Sequence, residues 1–453
     1  MTTQKKYIFK GNWWKYEDND NKTPGILEII NNKKISLTPD DLFPTKNGVH
    51  AIPDRIETIL GETLKKKPIT LFRCESFGIN YNCKMALVGE HYKDFDDIKF
   101  KKIKIDYSLL NEWAYPYWIK SLTIENNKSI RNYYKKDNIS IKIPEFNLII
   151  DFHFNLRIIG KDPLNKKRVT FITITSKKPT NLTEWWKVII ILRNFIILGL
   201  NVPIYPYEFI GITEEQKRVK MYYIAYEYNY NVFEEWNRKG ELFTLKNIED
   251  NFSVYLNNWF NKSIKFNRII ANYYSTLNNP DMYNEDKLLH FVSLLEEYHR
   301  YNKKNEAMSQ EDFKELADKI LIDAEKCLDA EQIKFLKENI NPFGYEKHLS
   351  QRLKELLNEN KALIPLNSKE KNNFIKKIKD TRDFWVHKLT YKDNRLLTGK
   401  ELSKAPCALE MLLIACLLRE IGFEDDLLKK LFKRNNKFTY FHANTLSLFK
   451  FKS

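Results

Sequence analysis

An α+β architecture is predicted for this 453-residue chain, a β-rich N-terminal region followed by an all-α helical bundle. Two observations predict it. Up to about residue 180 the apolar residues fall in short β-branched or alternating runs, punctuated by Asn, Asp, Gly and Pro. From about Leu245 onward they recur at three- and four-residue steps, the period of an amphipathic helix. Charge shifts within the helical half: residues 281–370 hold 14 Lys/Arg against 19 Asp/Glu, whereas 371–453 hold 18 against 9.

The strands expected first are Ile26–Ile30, Lys34–Leu37, Ile69–Phe72, Lys84–Gly89 and Ile98–Ile105. The last alternates apolar residues with Lys, as a strand with one wet face does. Turns are expected at Asp18–Gly25, Pro39–Asp41 and Asn47–Gly48. Strands continue through Asn138–Ile143, Phe146–Phe154 and Arg168–Ile174. A helix then starts at Asn181, whose side chain can cap while Glu184 reaches back, and runs to about Leu200. Strands near Tyr205–Ile210 and Val219–Tyr226 follow. The aromatics Trp185, Trp186, Tyr205, Tyr207, Tyr222, Tyr223, Tyr226 and Tyr228 crowd this region. Such rings can stack nucleobases, but on strands they more often fill a core.

A connecting helix is expected around Phe252–Tyr274, broken at Asn278–Asp281. Helices then follow over Asp286–His299, near 310–327, 330–340 and 346–358, over Lys371–Leu389, and over Ala408–Ile421 with Gly422 as its stop. The domains expected are a β-rich one over 1–180, a mixed α/β continuation over 181–244, a connecting helix over 245–282 and the helical bundle over 283–453.

The 43% hydrophobic content argues for folded domains rather than disorder. A net charge of +16 suits nucleic acid or another acidic partner. A Lys-, Asn- and Ile-rich composition also arises from an AT-rich genome. The five cysteines, Cys74, Cys83, Cys327, Cys407 and Cys416, show neither a Cys-x-x-Cys pair nor ligand spacing with His, so they read as reduced core residues. No metal site and no cofactor is expected. The start lacks the apolar core of a signal peptide, and the apolar run Val188–Val202 is too short and too interrupted to span a bilayer comfortably. No membrane association is expected, and a cytoplasmic protein is.

The chemistry is expected on Lys371–Leu389. Phe374, Ile375, Ile378, Trp385, Val386 and Leu389 form one apolar stripe of a helix. Arg382 falls within it, and a guanidinium there is costly unless something anionic meets it. Asp383 and His387 stand at i and i+4, so the carboxylate can accept a hydrogen bond from the imidazole and fix its tautomer. Lys376, Lys377, Lys379 and Lys388 on the same helix are the candidate RNA-binding residues, a positive field for a polyanion. The plainer alternative is that Arg382 pairs with an acidic neighbour such as Glu296 or Glu297 and that His387 is a surface residue.

The arrangement Arg382-Asp383-x-x-x-His387 resembles the Arg-(Asn/Asp/His)-x-x-x-His signature of HEPN ribonucleases, all-helical domains of defence and toxin systems. The N-terminal half resembles ApeA-type anti-phage proteins. There, Gly11-Asn12-Trp13-Trp14, Gly25-Ile26-Leu27, the Ile69–Leu71 strand, Leu87–His91 and the Ile98–Ile105 strand leading to Trp113 follow one another in the family's order. The resemblance implies a metal-independent endoribonuclease in which the RNA's own 2′-hydroxyl attacks. His387 would move protons, Arg382 would grip the phosphate and Asp383 would orient His387. Residues five apart lie about 140° apart on an ideal helix, so Arg382 and His387 are not expected on one face. HEPN enzymes pair their motifs across a dimer, and a homodimer through the helical domain is therefore expected. By the same resemblance the chain acts in abortive anti-phage defence. Its N-terminal region would sense a phage protein, and a cellular RNA, tRNA foremost, would be cut. The alternative is a HEPN domain that binds RNA or nucleotide, or senses phage, without cleaving.

Overall fold

The computed structural model describes residues 6–16, 18–30, 33–43, 55–114, 119–125, 128–133, 137–158, 166–224, 240–389, 391 and 395–439. They fall in two compact units, Met1–Asn261 and Lys262–Ser453. The expected turn at Asn47–Gly48 and the aromatics Tyr226 and Tyr228 lie outside the described residues.

The first unit opens with six strands: β1 (Lys6–Lys15), β2 (Thr23–Ile30), β3 (Lys34–Pro39), β4 (Arg55–Thr63), β5 (Pro68–Phe77) and β6 (Asn80–Val88). All their pairings are antiparallel, in the order β6-β3-β2-β1-β4-β5, and β5 pairs back onto β6. The six strands thus close into a barrel, which removes free edges. Alternate residues point inward, and Trp13, Leu27, Ile29, Leu37, Ile59, Leu71 and Tyr81 fill the interior. A Cβ on Gly61 would lie 2.1 Å from the Trp13 ring, so glycine there makes room for the indole. The Trp13 indole nitrogen donates to the carbonyl of Gly25 at 3.1 Å, which satisfies the ring's one polar group inside the barrel.

One edge of β6 is shared. Its residues Tyr81 and Asn82 face β3, while Met85–Val88 face β14 (Arg218–Tyr223). From there a second stretch of sheet runs β14-β13-β7-β12-β11-β10, comprising β7 (Lys99–Tyr107), β10 (Ile139–Ile143), β11 (Leu148–Ile158), β12 (Lys166–Asn181) and β13 (Pro206–Ile212). β8 (Ile119–Glu125) and β9 (Lys128–Tyr133) form a separate hairpin, and α1 (Leu110–Ala114) follows β7.

The apolar helix α2 (Leu182–Leu200) packs on this sheet, as a core helix rather than a span. No helix among the described residues is long and apolar enough to cross a membrane. The Asn181 side chain caps α2 by accepting from the amide of Glu184 at 2.9 Å. Glu184 does not reach back as expected; its carboxylate meets Lys187 at 2.6 Å. Three bonds hold α2 in place: Trp185 Nε1 donates to the Phe100 carbonyl at 3.2 Å, Tyr107 Oη to Ile189 at 2.8 Å and Trp259 Nε1 to Ile191 at 2.8 Å. Phe252 and Trp259 join Trp113, Phe152 and Phe195 in one aromatic cluster. α3 (Leu245–Ile248) precedes α4 (Phe252–Ser263).

The single helix expected over Phe252–Tyr274 is two, α4 and α5 (Asn267–Asn278), separated by a turn at Ile264–Phe266. The second unit continues with α6 (Asn284–Asn302), α7 (Gln310–Ala324), α8 (Ala330–Asn339), α9 (Leu349–Glu359), α10 (Ser368–His387), α11 (Gly399–Glu420) and α12 (Asp425–Arg434). α11 is buried over most of its length and extends back through Pro406, and it packs along α6. α9 packs against α6 and α10. α7 contributes no buried residue and α8 only Ile333, so this pair stands outside the core. The N-terminal β-rich region and the helical bundle are as expected. The cysteines are all free; Cys74, Cys83 and Cys416 are buried as expected, whereas Cys407 is half-buried and Cys327 is exposed.

Candidate active site on the motif helix

α10 starts from a reciprocal cap, in which Asn367 Oδ1 accepts from the amide of Glu370 and the Glu370 carboxylate accepts from the amide of Asn367. Phe374, Ile375 and Ile378 are buried. The expected apolar stripe stops there: Trp385, Val386 and Leu389 are 48%, 50% and 46% exposed. Three periodic positions therefore face the core and three face outward near the helix end.

On the buried side Asp380 accepts from Arg395 Nε at 2.8 Å, and Thr381 Oγ1 accepts from the amide of Leu397 at 2.8 Å. These contacts tie the chain after α10 back onto it. His387 is the last residue of the helix, and Lys388 turns the chain with a left-handed backbone, φ 53°.

The structure brings Arg382 and His387 together in one chain. Arg382 Nη1 lies 3.4 Å from His387 Nε2 and donates to Asp383 Oδ1 at 2.9 Å. The 140° separation holds for Cα positions; a long guanidinium side chain spans it toward the open end of the helix. An Arg N–H can donate only to an unprotonated ring nitrogen, so a hydrogen bond across this contact requires an Nε2 that carries no proton.

The expected hydrogen bond between Asp383 and His387 is not formed. The Asp383 carboxylate is occupied by Arg382 and by Lys379 Nζ at 3.1 Å. Burial raises its pKa, but the hydrogen bonds from Arg382 and Lys379 outweigh this and hold it below the ordinary value.

Glu296 of α6 stands on the other side of the guanidinium, 4.0 Å from Arg382 Nη2. It is itself held by Arg352 of α9 at 3.0 Å. Arg352 is 3% exposed and also donates to Glu346 at 3.0 Å. Nearby, the buried His299 meets Glu355 at 2.7 Å, and burial lowers its pKa despite that carboxylate. Glu297 pairs elsewhere, with Arg268 at 3.5 Å. Arg382, 31% exposed at its side chain, thus sits between two carboxylates and beside a histidine, open to solvent.

The lysines separate. Lys376 and Lys388 are exposed, and Lys379 divides between solvent and Asp383. Lys377 is 17% exposed and committed to Glu401 at 2.6 Å, so it is not presented as the helical charge run suggests. A groove of about 460 Å³ runs between α9 and α10, lined by Lys354, Lys376, Lys379 and Arg395 among others. Lys354 and Arg395 escape sequence reading because nothing local marks them; they reach the groove only through packing.

The family model for ApeA N-terminal domain 1 matches residues 8–259, and that for the Apea-like HEPN domain matches residues 289–427. The chain belongs to the ApeA family. Its two matched regions make it an ApeA-type defence protein with a HEPN domain. No curated protein and no solved structure matches it. The ApeA-type HEPN region contains the whole Arg382–His387 constellation, together with Glu296 and Arg352.

Proposed function

We propose that the HEPN domain, taken over residues 283–453, is a metal-independent endoribonuclease that cuts cellular RNA, tRNA foremost, during abortive anti-phage defence. The observation that carries the reading is the 3.4 Å approach of Arg382 to His387 at one exposed helix end inside a HEPN domain. An ordinary ion pair explains Arg382 with Asp383, as the plainer alternative has it; it does not explain a histidine at the same guanidinium.

Cleavage through the 2′-hydroxyl needs a base for that proton, an acid for the leaving 5′-oxygen and positive charge on the phosphorane. The nucleophile arrives with the substrate. His387 moves the protons, and in its neutral form Nε2 offers the lone pair a base requires. Arg382 holds the non-bridging oxygens through its planar fork. Asp383 and Glu296 set the plane of that fork, so Asp383 orients Arg382 rather than His387. Lys376, Lys379 and the α9–α10 groove take up neighbouring phosphates, with Lys388 beyond the helix end. Two copies pair through the helical domain, which sets two such constellations side by side, and the N-terminal region senses a phage protein.

The test is incubation of the purified protein with labelled tRNA in EDTA, beside Arg382→Ala and His387→Ala. Wild type is expected to yield 2′,3′-cyclic phosphate and 5′-hydroxyl ends, and each variant to lose at least roughly a hundredfold in rate. RNA bound but left intact, even after phage lysate is added, would identify a non-catalytic HEPN module.

A further inference from the structure

The first unit holds a cavity that the ribonuclease reading does not use. It has a volume of about 370 Å³ and is bounded by one face of α2, the ends of β13 and β14, and the middle of β5 and β6. Trp186 and Arg193 line it from α2, Tyr223 from β14, and Arg73 and Lys84 from β5 and β6. The aromatic crowding noted in the sequence resolves here. Trp185, Tyr205 and Tyr222 are buried in cores, while Trp186 and Tyr223, 4.9 Å apart and edge to face, border the cavity.

Arg73 carries the argument further. Its backbone is left-handed, φ 51°, in the middle of a strand, a conformation that a residue with a Cβ adopts at a cost. The neighbouring register pairs are Phe72↔Met85 and Cys74↔Cys83, so Arg73 stands opposite Lys84 on the adjoining strand. Like charges directly across a ladder repel. Lys84 has Glu75 at 3.6 Å. Among the described residues Arg73 has no carboxylate partner, and Arg193 Nε donates to the neutral amide oxygen of Asn194 at 3.3 Å. Two guanidinium groups and an ammonium therefore line a cavity with aromatic walls.

We propose that this cavity binds a nucleotide, with its base against Trp186 and Tyr223 and its phosphate at Arg73, Lys84 and Arg193. Aromatic faces take a base of any sequence, and guanidinium forks suit phosphate oxygens. The volume lies near the lower end for small-molecule sites, which fits a mononucleotide and excludes a folded RNA. The site makes the first unit responsive to a small phosphorylated metabolite, separately from any RNA bound by the HEPN domain.

Isothermal titration of the full chain with AMP, ATP and GTP, each alone, tests this. At least one is expected to bind, and Arg73→Ala, Arg193→Ala and Trp186→Ala are expected to weaken it at least roughly tenfold each. Arg382→Ala is expected to leave binding unchanged. Arg73→Gly gives an independent check, since glycine relieves the left-handed backbone while removing the cation: it is expected to melt no lower than wild type and still lose the ligand. Absence of binding by all three nucleotides at millimolar concentration overturns the proposal. So does binding that survives Arg73→Ala and Arg193→Ala in folded protein, or binding that Arg382→Ala abolishes.

Discussion

At the residue scale, Asp383 is where the structure departs furthest from the role its spacing suggests. A carboxylate four residues before a histidine on a helix is well placed to bond it, yet two cations on the same helix claim it first. Charge-assisted hydrogen bonds are strong contacts, and those from Arg382 and Lys379 occupy the carboxylate. This gives a pH signature. The folded-state pKa of Asp383 lies below its ordinary value of 3.8, so its contribution is present above that value and is lost as pH falls through the lower, folded one. Asp383→Asn is expected to cost roughly 1–3 kcal/mol at about pH 7. In urea denaturation the gap from wild type is expected to persist down to about pH 5 and to close below about pH 4. A gap that widens in acid would contradict the assignment.

At the scale of elements, α10 has two halves with different work. Its first half buries Phe374, Ile375 and Ile378, and its last turns leave Trp385, Val386 and Leu389 about half exposed beside Arg382 and His387. Apolar side chains exposed together at a site mark a binding face more often than chance does. If two copies meet there, Trp385→Asp with Val386→Asp is expected to convert a dimer to monomer and to remove RNA cleavage, while Arg382→Ala removes cleavage and leaves the dimer. Sedimentation of the three proteins distinguishes the two effects. A wild type that is monomeric and fully active would end the dimer proposal.

At the scale of the whole molecule, two compact units correspond to the two family matches, and the sensing role proposed for the first can be tested by removing it. The cut belongs after Asn261, because Phe252 and Trp259 complete the aromatic cluster around Trp113 and Phe195. A cut nearer residue 240 would strand their apolar surface in water. Cells carrying Lys262–Ser453 alone are expected to lose the response to phage, whether the freed domain is silent or active without infection. Phage-triggered RNA cleavage indistinguishable from that of the full chain would refute sensing by the first unit.

What the sequence determined by itself is local. Hydrophobic period separates strands from helices, Asn181 marks a helix start by its capping chemistry, and Arg382-Asp383-x-x-x-His387 marks the helix of the candidate site. Each of these signals depends on residues within a turn or two of one another. The tertiary structure decided what depends on distant partners: the return of β5 onto β6 that closes the barrel, the half of the α10 stripe that stays outside, and the placement of Glu296 and Arg352 around Arg382. Arg73 and Trp186 also meet at one cavity only there. Periodicity states that a face is apolar or charged, but burial and pairing are set by which surface packs against it, and that surface comes from residues far away in the chain.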